Sequence, residues 1–277
     1  MSLGAAALLV AASLVTGPVC RYESGLSCID VARLGSAVHL YADRTPQAAE
    51  RVARTGAHPE NDRLVLAYTR WLWARMDRDL GPAPSVLFVG GGGYTLPTML
   101  LGSRPEAQAV AVEIDPLITK VVREHLDWAG ATIARTGYDA GAENPGQGRL
   151  GIAHADGRVY INETDRRFDA AVMDAFSSGS VPAHLATLET YERLREIVDG
   201  PVYVNLIDTP NGPLARGLHA ILDRLYPHVV AVQGPVSARG HANILLAAAR
   251  DPLETLDARP EGYTLTQIAP GRAFNDD

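Results

Sequence analysis

An apolar run that ends in four consecutive glycines constrains this chain more than any other feature. Ser85-Val86-Leu87-Phe88-Val89 leads straight into Gly90-Gly91-Gly92-Gly93. A second apolar run, Ala109-Val110-Ala111-Val112, ends in Glu113 and is followed by Ile114-Asp115. An acidic residue about 20 positions beyond a glycine-rich turn is the spacing of a βαβ unit that binds a nucleoside or dinucleotide. Glycine lets the backbone turn sharply and approach a ligand that a Cβ would push away. A carboxylate at the end of the second strand can accept both hydroxyls of a ribose. The pattern therefore predicts a nucleoside site at the top of a parallel sheet.

The rest of the chain supports that architecture. Strands are expected at 86–89, 109–113, 150–154, 168–173 and 202–207, with helices at 96–101, 116–128, 188–198 and 214–225. Two final strands at 229–233 and 243–248 have no helix between them and suggest an antiparallel edge hairpin. Strands that alternate with helices argue for a parallel sheet covered on both faces. The stretch 130–148, which contains five Gly and one Asn, reads as a long loop. Upstream, 37–41 alternates as a strand would. Residues 61–79 show helical periodicity, with Leu64, Ala67, Tyr68, Trp71 and Leu72 on one face. Gly81-Pro82-Ala83-Pro84 then breaks the chain.

Charge and cysteine content narrow the partners. The 25 basic and 32 acidic residues give a net charge of −7, with no basic block, which argues against nucleic acid. Two cysteines, Cys20 and Cys28, are too few for a structural zinc site, and no metal is expected. Residues 3–19 are small, apolar and uncharged. They are short for a spanning helix and lack the basic start of a secretory signal. A signal-like segment, the remnant of a membrane helix, and a helix buried on the domain all remain open. Cytoplasmic, membrane-associated and exported locations remain open with them. In an exported chain Cys20 and Cys28 would close a small disulfide loop; in a cytosolic one they would be reduced thiols.

Ligands of open α/β sheets sit at the carboxyl ends of the strands. The residues expected there are Gly90–Gly93, Glu113, Asp156-Gly157 and Asp174. Each also has a structural reading, as a tight turn, a solvated acid or a helix cap. No Gly-Lys-Ser/Thr follows the glycines and no Gly-x-Ser-x-Gly follows a strand, which sets aside a P-loop nucleotidase and a serine hydrolase.

The strings Val-Gly-Gly-Gly-Gly-Tyr-Thr-Leu-Pro, Val-Glu-Ile-Asp-Pro, His-Ala-Asp-Gly-Arg and Phe-Asp-Ala-Ala-Val-Met-Asp-Ala-Phe resemble, in this order, the spermidine synthase (polyamine aminopropyltransferase) family, and its divergent bacterial branch above all. The resemblance covers about residues 82–250. It implies an α/β, Rossmann-like class I methyltransferase fold: a mostly parallel seven-stranded sheet with an antiparallel edge hairpin, behind a small N-terminal β domain. It also implies an S-adenosyl-nucleoside site formed by Gly90, Gly91, Gly92, Gly93, Glu113, Asp156, Gly157 and Asp174. Glu113 would hold the ribose and Asp156 the adenine amino group, with Asp174 beside the sulfonium and the incoming amine. The donor would be S-adenosylmethionine or its decarboxylated form, the acceptor a small amine, and the assembly a homodimer. The division expected is an apolar segment 1–20, a small region 21–81, a Rossmann-like domain 82–250 and a tail 251–277. Residues 3–19 permit membrane association.

The departures from the family bear on chemistry. Gly93 stands where the family carries an Asp, and Ser177 where it carries a second one. An amine with a free pKa near ~10 must lose a proton before it attacks, so a site with fewer acids has less to hold and deprotonate it. His184, working with Asp174, is one replacement for the missing base; a surface residue at a helix start is the other reading. Gly93 removes a negative charge and leaves a backbone N–H at a helix start, which predicts acceptance of a donor that keeps its carboxylate. The loop 177–184 is placed to act as a lid. The function expected is aminopropyl or methyl transfer from a sulfonium donor; the alternative is a non-catalytic nucleoside-binding or scaffolding domain of the same fold.

Overall fold

The structure, a computed structural model, describes residues 20–52, 63–142, 146–175, 181–256, 260 and 262–276. The apolar segment 3–19, the start of the expected 61–79 helix and residues 177–180 of the expected lid, Ser177 among them, lie outside the described residues.

The chain opens with a four-stranded antiparallel sheet, β1 (Tyr22–Glu23), β2 (Cys28–Leu34), β3 (Ala37–Ala42) and β4 (Thr45–Arg51), in the order β1-β2-β3-β4. Helix α1 (Ala67–Asp79) follows. The large sheet then alternates with helices: β5 (Ser85–Val89), α2 (Thr95–Ser103), β6 (Gln108–Val112), α3 (Pro116–His125), α4 (Asp127–Thr136), β7 (Gly137–Asp139), β8 (Leu150–Ala153), α5 (Gly157–Glu163), β9 (Ala170–Met173), α6 (Leu188–Ile197), β10 (Val202–Asp208), α7 (Pro213–Leu225), β11 (His228–Gln233), β12 (Ala242–Ala249) and β13 (Thr264–Leu265). A 3-10 turn, Ala183–Leu185, precedes α6.

The sheet order is β13-β11-β12-β10-β9-β5-β6-β8-β7. Its seven main strands are those expected from the sequence; two short edge strands, β7 and β13, widen the sheet to nine. From β10 to β7 all pairings are parallel, while β10–β12, β11–β12 and β11–β13 are antiparallel. The uninterrupted apolar sequences of β5, β6 and β9 belong to strands buried on both faces. Alternate β5 side chains serve two cores. Val86 and Phe88 join Trp71, Leu72, Met76, Leu100 and Val121 on the face covered by α1–α4. Leu87 and Val89 join Ile161, Leu194, Leu218 and Leu222 on the face covered by α5–α7.

Three expectations change. Helix 116–128 is two helices, because Leu126 is extended and hands the chain from α3 to α4. The loop expected at 130–148 is mostly α4 and β7. Helix α4 starts there because Glu50, on β4, accepts the backbone N–H of Trp128 at 2.6 Å and of Ala129 at 3.0 Å. A carboxylate distant in sequence supplies the cap that the local residues lack. The helix expected over 61–79 starts as α1 only at Ala67, because Leu66 is extended, and α1 packs on the large sheet with Trp71, Leu72 and Met76 in the same core as Tyr203 and Leu245.

The N-terminal sheet shares that core through Ile29, Leu40 and Ala48. Cys20 and Cys28 are joined by a disulfide, with a Cα–Cα distance of 5.5 Å. No helix among the described residues is long and apolar enough to cross a membrane.

Candidate nucleoside site

The chain runs from β5 outward through β6 to β8, then returns to place β9 on the other side of β5. This reversal puts the carboxyl ends of β5, β6 and β9 around one hollow, where α/β sheets bind ligands. A cavity of about 260 Å³ lies there. Gly90, Gly92, Glu113, Asp156, Gly157, Asp174 and His184 all line it. The three expected carboxylates therefore converge on a single space.

The glycine turn is held against both acids. Gly90 has φ +96°, and a Cβ there would meet the Asp174 backbone oxygen at 2.3 Å, so this position tolerates only glycine. The Gly92 N–H donates to Glu113 Oε2 at 3.0 Å, and the Asp115 N–H donates to Glu113 Oε1 at 2.9 Å. Gly91 faces the Glu113 side chain. Burial pushes the Glu113 carboxyl above its usual range, against the pull of those backbone N–H groups. The Gly91 N–H pulls on Glu113 as well, so three backbone donors leave the carboxylate one lone-pair site for a further donor such as a ribose hydroxyl.

Gly93 lines a smaller recess beside the cavity, with Gly91, Tyr68 and Asp174. Its Cβ direction faces β4: a Cβ on Gly93 would sit 1.9 Å from the Ala48 Cβ. Packing of the N-terminal sheet demands glycine here. Tyr94, next in the chain, adopts a left-handed conformation (φ 57°) and is fully buried, its hydroxyl 2.7 Å from Thr119 Oγ1.

Asp156 caps α5, accepting the N–H groups of Arg158 (2.9 Å) and Val159 (3.1 Å). Its other oxygen, Oδ2, lies 2.8 Å from His184 Nε2. His184 therefore pairs with Asp156, not with Asp174. The 3-10 turn that carries His184 brings it over the α5 N-terminus, where the nearer acid is Asp156. Burial is the largest single influence on Asp156 and raises its carboxyl, but the donors from Val159, His184 and Arg158 outweigh it and leave the group below its usual range.

Asp174 follows directly on β9. Burial lifts its carboxyl from 3.8 to about 7, while hydrogen bonds from Asn205 and Tyr68 pull the other way. Asn205 Nδ2 donates to Oδ1 at 2.7 Å. The part of Tyr68 is absent from the sequence reading, which placed it on the apolar face of a helix; no local signal distinguishes it from its apolar neighbours.

The N-terminal sheet forms the roof. Leu26, Ser27, Asp43 and Gln47 line the cavity, with the Gln47 backbone next to Gly92. The β1–β2 turn is latched to the large domain by Ser24 Oγ and Ser27 Oγ, which donate to Asp115 Oδ2 at 2.6 and 3.3 Å. Asp115 at the same time caps α3 through the Leu117 N–H. Among the described residues no cluster of three or more His, Cys, Asp or Glu side chains is placed to hold a metal ion.

The chain is similar to known proteins in sequence and in fold. No family model matches the chain. The polyamine aminopropyltransferase of Vibrio vulnificus is 24% identical over 157 residues, 54% of this chain and 46% of that protein. That of Saccharolobus solfataricus is 32% identical over 122 residues, 43% of this chain and 36% of that protein. The matches thus span about half or less of the length of these curated relatives. Among solved structures, a probable spermidine synthase from Corynebacterium glutamicum superposes with a TM-score of 0.68 at 19% identity, covering 87% of this chain and 84% of that one. A spermidine synthase in complex with the transition-state analogue AdoDATO gives 0.61 at 17% identity, covering 85% and 74%. Human methyltransferase-like protein 13 in complex with SAH gives 0.50 at 20% identity, covering 70% and 86%. In sequence and in fold, the chain resembles the divergent spermidine synthase-like family, built on the Rossmann-like class I methyltransferase fold.

Proposed function

We propose that the chain binds a sulfonium nucleoside, S-adenosylmethionine or its decarboxylated form, and transfers an aminopropyl or methyl group to a small amine. One observation carries the reading: Glu113, Asp156 and Asp174 face a single cavity at the reversal of strand order, under a roof of N-terminal strands. Glu113 accepts a ribose hydroxyl. Asp156, steadied by His184, accepts from the adenine amino group. Asp174 lies where the sulfur end passes the glycine turn. Titrating near neutrality, it takes the proton of an attacking ammonium and leaves a neutral nitrogen lone pair. That two structural neighbours were solved with AdoDATO and SAH supports an adenosyl ligand.

Calorimetric titration with methylthioadenosine, S-adenosylmethionine and its decarboxylated form tests the binding. Saturable binding of at least one, lost in Glu113→Ala, is expected; absence of binding by all three overturns the reading. Incubation of each donor with putrescine or cadaverine, followed for methylthioadenosine or S-adenosylhomocysteine, then separates aminopropyl from methyl transfer. A second reading, a binding domain without turnover, draws on Gly93, which stands where the family carries an acid and is instead packed against Ala48. Binding without either product would select it.

A further inference from the structure

Asp174 is held by a relay of side chains that crosses three strands. Asn205, on β10 and 2% exposed, donates Nδ2–H to the Asp174 carboxylate. An ionised carboxylate only accepts, so the Asn205 amide must present its NH2 group to it. Nothing in the Asn205 backbone selects that orientation. The neighbouring strand does: Asn243 Nδ2, on β12, donates to Asn205 Oδ1 at 2.9 Å. β10 and β12 run antiparallel with Ile207 opposite Asn243 and Asn205 opposite Leu245, so the two amides meet on the diagonal. A flipped Asn205 amide would set oxygen against carboxylate and NH2 against NH2, and both bonds would be lost.

We infer that Asn243, which does not line the nucleoside cavity, is a positioning residue for Asp174: it locks the Asn205 amide with its donor toward the carboxylate. Asn243 thereby helps fix the direction of the Asp174 oxygens and the ease with which they accept a proton. The other titratable groups around Asp174 are Tyr68 on α1, which donates to it, Tyr263 behind Tyr68, and Glu113 beyond the glycine turn. This deepens the reading of Asp174 as the proton acceptor and rests on that reading for its meaning, but its test needs neither donor nor acceptor.

The test follows the Asp174 carboxyl by NMR in protein carrying carbon-13 in its aspartate carboxyls, with Asp174→Asn to assign the signal. In Asn243→Leu the titration midpoint is expected to rise by about one pH unit, because a carboxylate that loses a fixed donor ionises less readily. Asn243→Ser, which keeps a hydroxyl donor, is expected to restore part of the shift. A packing role alone would lower the melting temperature and leave the midpoint in place; an unchanged midpoint in folded Asn243→Leu overturns the inference. In the unmutated protein, the side-chain NH2 signals of Asn205 and Asn243 are both expected to shift with the Asp174 midpoint. A silent Asn243 signal overturns the relay even if every variant fails to fold. If the relay is found but no adenosyl compound binds, the transferase reading alone has failed.

Discussion

A Cβ at Gly93 would come within 1.9 Å of the Ala48 Cβ, although the backbone at Gly93 lies outside the left-handed region that resists side chains. The obstacle is therefore space rather than conformation. Gly93→Ala is expected to destabilise the fold by about 1–3 kcal/mol in denaturant titration, and Ala48→Gly in the same chain to recover most of the loss. Two independent, additive effects would refute the contact. At Asp174 the physics concerns charge. The folded state raises the carboxyl from 3.8 to about 7, so it favours the protonated form. Its contribution is fully present below about pH 4 and is lost as pH rises through about 7. Asp174→Asn should flatten the fall in stability between pH 4 and 7, measured by chemical denaturation across that range. On the proposed transfer reading, the rate is expected to rise with pH through about 7 as the carboxylate forms, and this limb of the profile to vanish in the same variant.

At the scale of elements, the sequence disclosed what was local and hid what was remote. The runs Ser85–Val89 and Gln108–Val112 and the Pro116 start of α3 carry their structure in their own residues. Helix α4 does not, because its cap is Glu50, on another sheet. The candidate site divides the same way. Gly90, Glu113, Asp156 and Asp174 were legible because strand ends can be read one at a time. Tyr68, Asn243 and the Gly93–Ala48 contact were not, because each depends on which element lands beside it. The β1–β2 turn is the clearest case: two serines latch it to Asp115, and β1 is only two residues long. The Cys20–Cys28 disulfide ties this turn at its base. In the chain-entropy picture a loop of this size contributes about 2–3 kcal/mol. Replacing both cysteines by serine is expected to lower the melting temperature and weaken methylthioadenosine binding several-fold. Equal affinity would show that the roof keeps its place without the bond.

At the scale of the whole molecule, the C-terminus closes back on the site. Arg158, two residues after Asp156, pairs with Asp276 and also donates to the His184 carbonyl at 3.0 Å and to Thr187 Oγ1 at 2.8 Å. The Leu188 N–H donates to the Phe274 carbonyl. The tail thus buttresses the 3-10 turn that presents His184 to Asp156. Surface ion pairs add little by themselves, so Asp276→Ala should barely change the melting temperature. Arg158→Ala, which frees the turn as well, should reduce adenosyl affinity more than it reduces stability, a split that calorimetry and thermal melting resolve together.

A buried carboxyl balanced between its two protonation states reads the charge of each visitor. On the proposed transferase reading, a sulfonium cation beside Asp174 would favour the anion and be gripped by it, whereas the thioether left after transfer carries no charge and would let the proton return. The spent nucleoside would then be held less firmly than the compound that entered, so release would follow from the chemistry itself.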